Sequence, residues 1–398
     1  MTGLSAGWLW AASLWLGLGL VLQAWICARQ WQHLAGLSRA SDTAAQPESI
    51  GYGQRRALFQ WLVYLEQCLR VAFWLGAGAL AASFQPFSTS GLAGALLFVV
   101  VFALIDQLLR LLLPWARWRW VDRAYGMSRM SGRELGADFL RRIGLQLVIA
   151  AMAAVWIVWP LALLDAPGGW WWSTVALLTG AAALFWGRPH LIEPLFNRFT
   201  ALPNGELRDR LQAMMQRCGA QLEQVWVVDS SRRSKLANAY FAGLGRRKRV
   251  VLFDTLIAQL SPAELEAVMA HELGHYRCGH LRRYYLLQGT LLAGSFLLFG
   301  LLQPMIAPGL SSIVWAVAAY VLLPALAWPL QPWFAGLRRR YEYEADAYAA
   351  RHAERDALVS ALERLLKNNL GAPTMATAYM LFFATHPPAD KRLLQLKL

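Results

Sequence analysis

Residues 261–280 read SPAELEAVMAHELGHYRCGH, and the last ten of them place three histidines, a glutamate and a cysteine together in a chain with only seven histidines and four cysteines. Ser261 is a natural N-cap, Pro262 suits the first helical position and Glu264 completes a capping box, so the sequence predicts a helix well started before the polar cluster arrives. On that helix His271 and His275 project within about 40° of each other, one turn apart, and two imidazoles can share an ion. Glu272 lies about 100° round from His271, at the edge of that face, where it can act on water but not ligate. Two neighbours are excluded as ligands. Cys278 shares the face of His271 but lies about 10 Å along the axis, too far for an ion held at about 2 Å, and His280 falls about 180° round. A solvated histidine pair would give the same short pattern, so a third ligand elsewhere has to decide.

That stretch runs into an apolar segment, and the whole chain is rich in them. Hydrophobic residues reach 57% and charged residues only 16% of 398, poor in charge for a water-facing protein. Apolar runs of about 20 residues, enough to span a bilayer, fall near 4–27, 65–84, 89–113, 143–164, 169–187, 284–307 and 311–334. The connections after the second, fourth and sixth runs carry no Lys or Arg, and neither do the residues before the first. The formal charge of +14 is therefore gathered in 27–64, 114–142, 188–283 and the C-terminal tail. With seven spans these four segments share one side, which the positive-inside rule makes cytoplasmic, and the N-terminus lies outside. Topology and anionic lipid account for the basic charge, and no recognition motif points to nucleic acid.

The first run lacks a charged leader and a small-residue cleavage site and reads as a retained span. Tryptophans at run ends (Trp8, Trp10, Trp115 to Trp120, Trp170 to Trp172, Trp328, Trp333) read as interface anchors. The four cysteines are scattered without a CxxC pair, and no disulfide framework is expected.

The expected fold class is thus mainly α: a polytopic membrane protein with seven transmembrane helices and a small α+β cytosolic catalytic unit. Its expected divisions are an N-terminal membrane domain (1–187, five spans), a cytosolic catalytic insert with HExxH (188–283), a transmembrane hairpin (284–334) and a cytosolic C-terminal part of the catalytic domain (335–398). Inside the insert, GELRDRLQAMMQRCG has helical spacing at Leu207, Leu211 and Met215, and QVWVVD and KRVVLFD read as short strands either side of NAYFAGLG.

The third ligand comes from RRRYEYEADAYAARH, after the seventh run. Glu342 and Asp346 share a helical face, with Ala345 and Ala349 beside them small enough for another helix to approach, while Glu344 lies about 200° round and points away. An ordinary exposed acidic helix, salt-bridged to the arginines before it, is the plain alternative. Beside an HExxH helix the better assignment is Glu342 as third zinc ligand and Asp346 as acceptor for a ligand imidazole N–H. Two His and one Glu leave a fourth position for water, the pattern of a catalytic site holding one Zn2+ per chain. Asp106 and Arg110, four residues apart within a span, read as a self-neutralising pair.

These blocks also resemble a known family, the integral-membrane zinc metalloproteases of the type I CAAX prenyl protease group (gluzincins), with the bacterial HtpX proteases as more distant relatives. The resemblance rests on YGMS (125–128), EPLFNRFTALPNGELR (193–208), NAYFAGL (238–244), RVVLFDTLI (249–257), AHELGHYRCGH (270–280), EYEADAYA (342–349) and THPPADKRL (385–393). It implies His271, His275 and Glu342 as zinc ligands, Glu272 as general base and Asp346 as support. It further implies Asn238 beside a cleft where substrate backbone pairs with an edge strand, and His386 facing the active site; Arg392 also matches the family pattern, but reads as a structural ion pair. It implies spans enclosing an intramembrane chamber capped by the catalytic domain, and CAAX-type processing of peptide or protein substrates, prenylated ones included. Short non-cytosolic loops and a Trp- and Ala-rich composition suggest a bacterial inner membrane with a cytoplasmic active site. The alternatives are a quality-control protease without prenyl substrates, a non-catalytic membrane chaperone or scaffold, and a transporter using Asp106.

Overall fold

The structure, a computed structural model, describes residues 6–39, 47–88, 91–163, 166–219, 224–242, 249–372 and 374–397. Among them, four helices are long and apolar enough to cross a membrane: Gly7–Arg39, Gly91–Asp122, Gly132–Leu161 and His280–Leu301. The count is five if the pair Ser312–Leu326 and Trp328–His352 is one span, bent by 43° where Pro324 and Pro329 interrupt the backbone ladder. These overlap five of the seven apolar runs. The run at 65–84 is broken: the helix Pro47–Val71 passes into a wide turn at Ala72–Gly76 and stops at Gly78, whose φ of +70° suits glycine. The run at 169–187 lies in the helix Ala166–Gly187, whose tryptophans, glycines and threonines dilute its hydropathy.

The membrane helices pack through aromatic and small residues. Trp315 stacks on Phe299 at 4.1 Å between centroids and donates its indole N–H to the Phe299 carbonyl at 2.7 Å. Trp170 presses so closely on Gly300 that a Cβ there would lie 2.1 Å from the indole. The expected tryptophan belt is therefore two populations. Trp8, Trp10, Trp115, Trp120, Trp171, Trp172 and Trp333 are exposed as anchors are, whereas Trp118, Trp170 and Trp328 are buried packing residues.

Asp106 is 1% exposed, and its main partner is not Arg110. Arg70, from the preceding helix, grips it with two bonds of 2.8 and 2.7 Å, Trp74 donates at 3.1 Å, and Arg110 adds a third charge at 3.1 Å. A buried carboxylate with this many donors is a satisfied tie between helices. Spacing along one helix could show Arg110 but not a residue on another.

Among the described residues, the part of the chain before the HExxH helix contains a four-stranded sheet in the order β1-β2-β4-β3, made of β1 (Phe199–Ala201), β2 (Gln224–Val228), β3 (Ala239–Ala242) and β4 (Arg249–Phe253). β2 and β4 run parallel, while β1 and β3 are antiparallel edges. β2 and β4 are the strands expected from periodicity. β3 lies inside NAYFAGLG, whose last three residues fall outside the described ones, and its alternation was too short to register. Val225, Val250 and Leu252 from the sheet, Leu211, Met214 and Met215 from the helix Glu206–Arg217, and Leu265, Met269 and Leu273 from the helix Pro262–Arg277 form one core. Full burial of one such side chain is worth about 1.5–3 kcal/mol, which fixes the HExxH helix against the sheet.

Candidate metal centre

Ser261 and Glu264 form the reciprocal cap, with Ser261 N–H donating to the Glu264 carboxylate at 2.7 Å and Glu264 N–H donating to the Ser261 hydroxyl at 3.3 Å. The helix so started, Pro262–Arg277, buries one face on the sheet and lays the other against the helix Gln331–His352. Close approach is set by small residues. A Cβ on Gly274 would lie 3.1 Å from Ala345 Cα and 3.0 Å from Tyr348 Cβ, and Ala345 and Ala349 are fully buried.

This contact brings together His271, His275 and Glu342. Their ring nitrogens Nε2 lie 3.2 Å apart, His275 Nε2 is 3.3 Å from Glu342 Oε1, and His271 Nε2 is 3.6 Å from Glu342 Oε2. A zinc ion holds ligands at about 2.0–2.1 Å, and tetrahedral angles then separate neighbouring ligand atoms by about 3.3 Å. The three spacings fit that figure. Electrostatics agree, because burial alone would raise the Glu342 carboxyl, yet contacts with His275 and His386 hold it far below the usual carboxylate range. The Glu342 Oε2 atom is buried and has no well-aligned hydrogen bond. The donor set is one that a cation satisfies.

Behind the cluster, His271 Nδ1 lies 2.8 Å from Asp346 Oδ1, and Arg392 holds both Asp346 oxygens at 2.8 and 2.6 Å. Arg392 also reaches within 3.6 Å of Glu342 Oε2. Glu272 is half-buried beside the histidines, and burial pushes its carboxyl above the ordinary range against the pull of His271 and His275. His386 comes from the segment after the helix Thr377–Phe383, with its ring largely exposed and Nδ1 2.8 Å from Glu342 Oε2. Asn238 is exposed and immediately precedes β3, its carbonyl accepting from the Phe253 N–H at 3.1 Å.

The placement of His280 and Glu344 differs from helical extrapolation. The helix does not continue through Cys278. It ends at Arg277, Gly279 takes φ +66°, and a new helix begins at His280. The turn swings His280 back, so that its Nδ1 sits 3.0 Å from His275 Nδ1 and its Nε2 sits 3.0 Å from Glu344 Oε2. Glu344 faces away from Glu342, as expected, but toward His280. The one available signal was Gly279, a common C-terminal stop.

Residues 201–398 match the family model described as peptidase family M48, and residues 51–198 match the one described as CAAX prenyl protease N-terminal, five membrane helices. The chain is similar to a CAAX prenyl protease 1 homolog from Taenia solium, 28% identical over 78% of this chain and 73% of that protein. It is 32% identical to CAAX prenyl protease 1 from Saccharomyces cerevisiae over 52% of this chain and 50% of that protein, so the alignment spans about half of the yeast relative. The crystal structure of S. mikatae Ste24p superposes with a TM-score of 0.85, at 23% identity and over 99% of each chain, and shares the fold.

Proposed function

The chain belongs to peptidase family M48, and from that premise we propose that it is a zinc-dependent membrane endopeptidase of the CAAX-processing type. The observation that carries this reading is the convergence of His271, His275 and Glu342 with Glu272 alongside. Those three residues would hold the zinc, which when bound supplies Lewis-acid polarisation of a carbonyl and a water that is nucleophilic near neutral pH. Glu272 takes the proton of the attacking water and returns it to the leaving nitrogen. A carboxyl raised by burial suits both transfers, because such catalysis is best when the pKa approaches the working pH. Asp346, clamped by Arg392, holds the His271 ring by its Nδ1 side. His386, beside Glu342, donates to the oxygen that gains charge, a role worth about 3–4 kcal/mol in comparable donors.

Substrate orientation follows from the sheet. β3 is an edge strand starting at Ala239, directly after Asn238, and an extended peptide laid along it gains backbone hydrogen bonds without demanding particular side chains. The seven spans and the cytoplasmic placement of the site rest on the distribution of Lys and Arg. A chamber between the spans would admit a lipidated C-terminus beside its peptide.

The discriminating experiment compares a farnesylated CAAX peptide with the same peptide lacking the lipid, using purified full-length protein in detergent. CAAX processing predicts faster cleavage of the lipidated peptide at equal concentration. Equal cleavage of both supports membrane quality control, and no cleavage of either contradicts the peptidase reading.

A further inference from the structure

We propose that His280 and Glu344 are positioning residues for the metal site, fixing the tautomer and orientation of His275 through an imidazole relay. This rests on the assignment of His275 as a zinc ligand. His275 turns Nε2 toward His271 and Glu342, at 3.2 and 3.3 Å. An imidazole that binds an ion through Nε2 carries its proton on Nδ1. That proton faces His280 Nδ1, 3.0 Å away, which must therefore accept. Accepting at Nδ1 places the His280 proton on Nε2, where it meets Glu344 Oε2 at 3.0 Å. Glu344 in turn accepts from Arg340 Nε at 2.9 Å. Each proton in the chain has one place to be.

The surroundings hold the relay still. His280 is 3% exposed and lies flat on Tyr341, with centroids 4.1 Å apart and planes 9° apart. Tyr341, Glu342, Glu344 and Asp346 all belong to the helix Gln331–His352, so one helix supplies a ligand and the backing for both histidines. The two arms match in logic: His271 is backed by Asp346 and Arg392, and His275 by His280, Glu344 and Arg340. Cys278, His280 and Glu344 are also close enough together to suggest a second ion. Both His280 nitrogens are already engaged, however, and Glu344 has its arginine, so two of the three groups are committed to the relay.

The test measures zinc affinity of full-length protein in detergent by competition with a chromophoric chelator, together with zinc per chain. His280→Phe keeps the stacking ring and removes the acceptor, while His280→Asn restores an oxygen near the place of Nδ1. The relay predicts a fall in zinc affinity of about 10–100-fold for His280→Phe, substantial rescue by His280→Asn, and a smaller fall for Glu344→Gln. Cobalt-loaded protein gives a second reading: its visible spectrum should shift in His280→Phe and return toward wild type in His280→Asn. Should His280→Phe not fold, Glu344→Gln alone carries the test, and unchanged affinity in it overturns the proposal. Wild-type affinity in His280→Phe also overturns it, as do two zinc ions per wild-type chain falling to one. A wild-type protein that binds no zinc at all refutes the metal assignment itself, a failure distinct from that of the relay.

Discussion

Replacing Gly274 by alanine tests how tightly the metal centre depends on the approach of two helices. The added Cβ would lie 3.0 Å from Tyr348 Cβ, 3.1 Å from Ala345 Cα and 3.2 Å from the Ala345 carbonyl oxygen. Carbon atoms rest comfortably at about 3.5–4.0 Å, and two of these contacts are backbone, so the helices must part by roughly 0.5 Å relative to that spacing. His271 and His275 sit on one helix and Glu342 on the other. Metal-ligand distances tolerate only about 0.2 Å, so the separation strains the ligand set more than the fold. Overpacking costs about 1–3 kcal/mol, and the alanine returns about 1 kcal/mol of helix propensity, leaving a net loss of about 0–2 kcal/mol. Zinc affinity should fall at least tenfold, equivalent to about 1.4 kcal/mol. Chelator competition measures the affinity and thermal unfolding in excess chelator measures the fold. A Gly274→Ala protein with wild-type zinc affinity would refute the reasoning.

Three further outcomes follow from other parts of the molecule. Glu272→Gln should keep one zinc per chain and lose about 10²–10⁴ in cleavage rate, measured by peptide turnover alongside elemental analysis. Arg70→Leu strands the buried Asp106 carboxylate with Arg110 and Trp74 alone, and should destabilise by about 3 kcal/mol, with partial recovery in the Arg70→Leu, Asp106→Leu double variant. Burial alone would raise the Glu264 carboxyl, but bonds from Ser360 and Ser261 and the charge of Arg364 hold it below the ordinary range. A depressed carboxylate pKa contributes stability above the unfolded value and loses it as pH falls through the folded one. Ser360→Ala should therefore shift acid unfolding, followed by circular dichroism, to higher pH.

What the chain reveals before folding is what depends on one element at a time. The capping box at Ser261 and the i, i+4 pairs His271/His275 and Glu342/Asp346 are local, and the structure brings the four side chains of those pairs together. Ala345 and Ala349 were readable as a close-approach stripe, while Gly274, its counterpart, was hidden inside a motif read for its ligands. The relay through His280 could not be read from periodicity, because a helical wheel holds only while the helix does, and Gly279 ends it. Arg70 and β3 were missed for a related reason. A salt bridge between helices and an edge strand four residues long are defined by partners far away in sequence.

The central claim is that Glu342 completes a zinc site with His271 and His275 across a membrane hairpin. Zinc per chain, measured on wild-type and Glu342→Ala protein purified alike, tests it most directly. One zinc in the wild type and close to none in the variant is the predicted result. Stoichiometric zinc retained in Glu342→Ala would contradict the account.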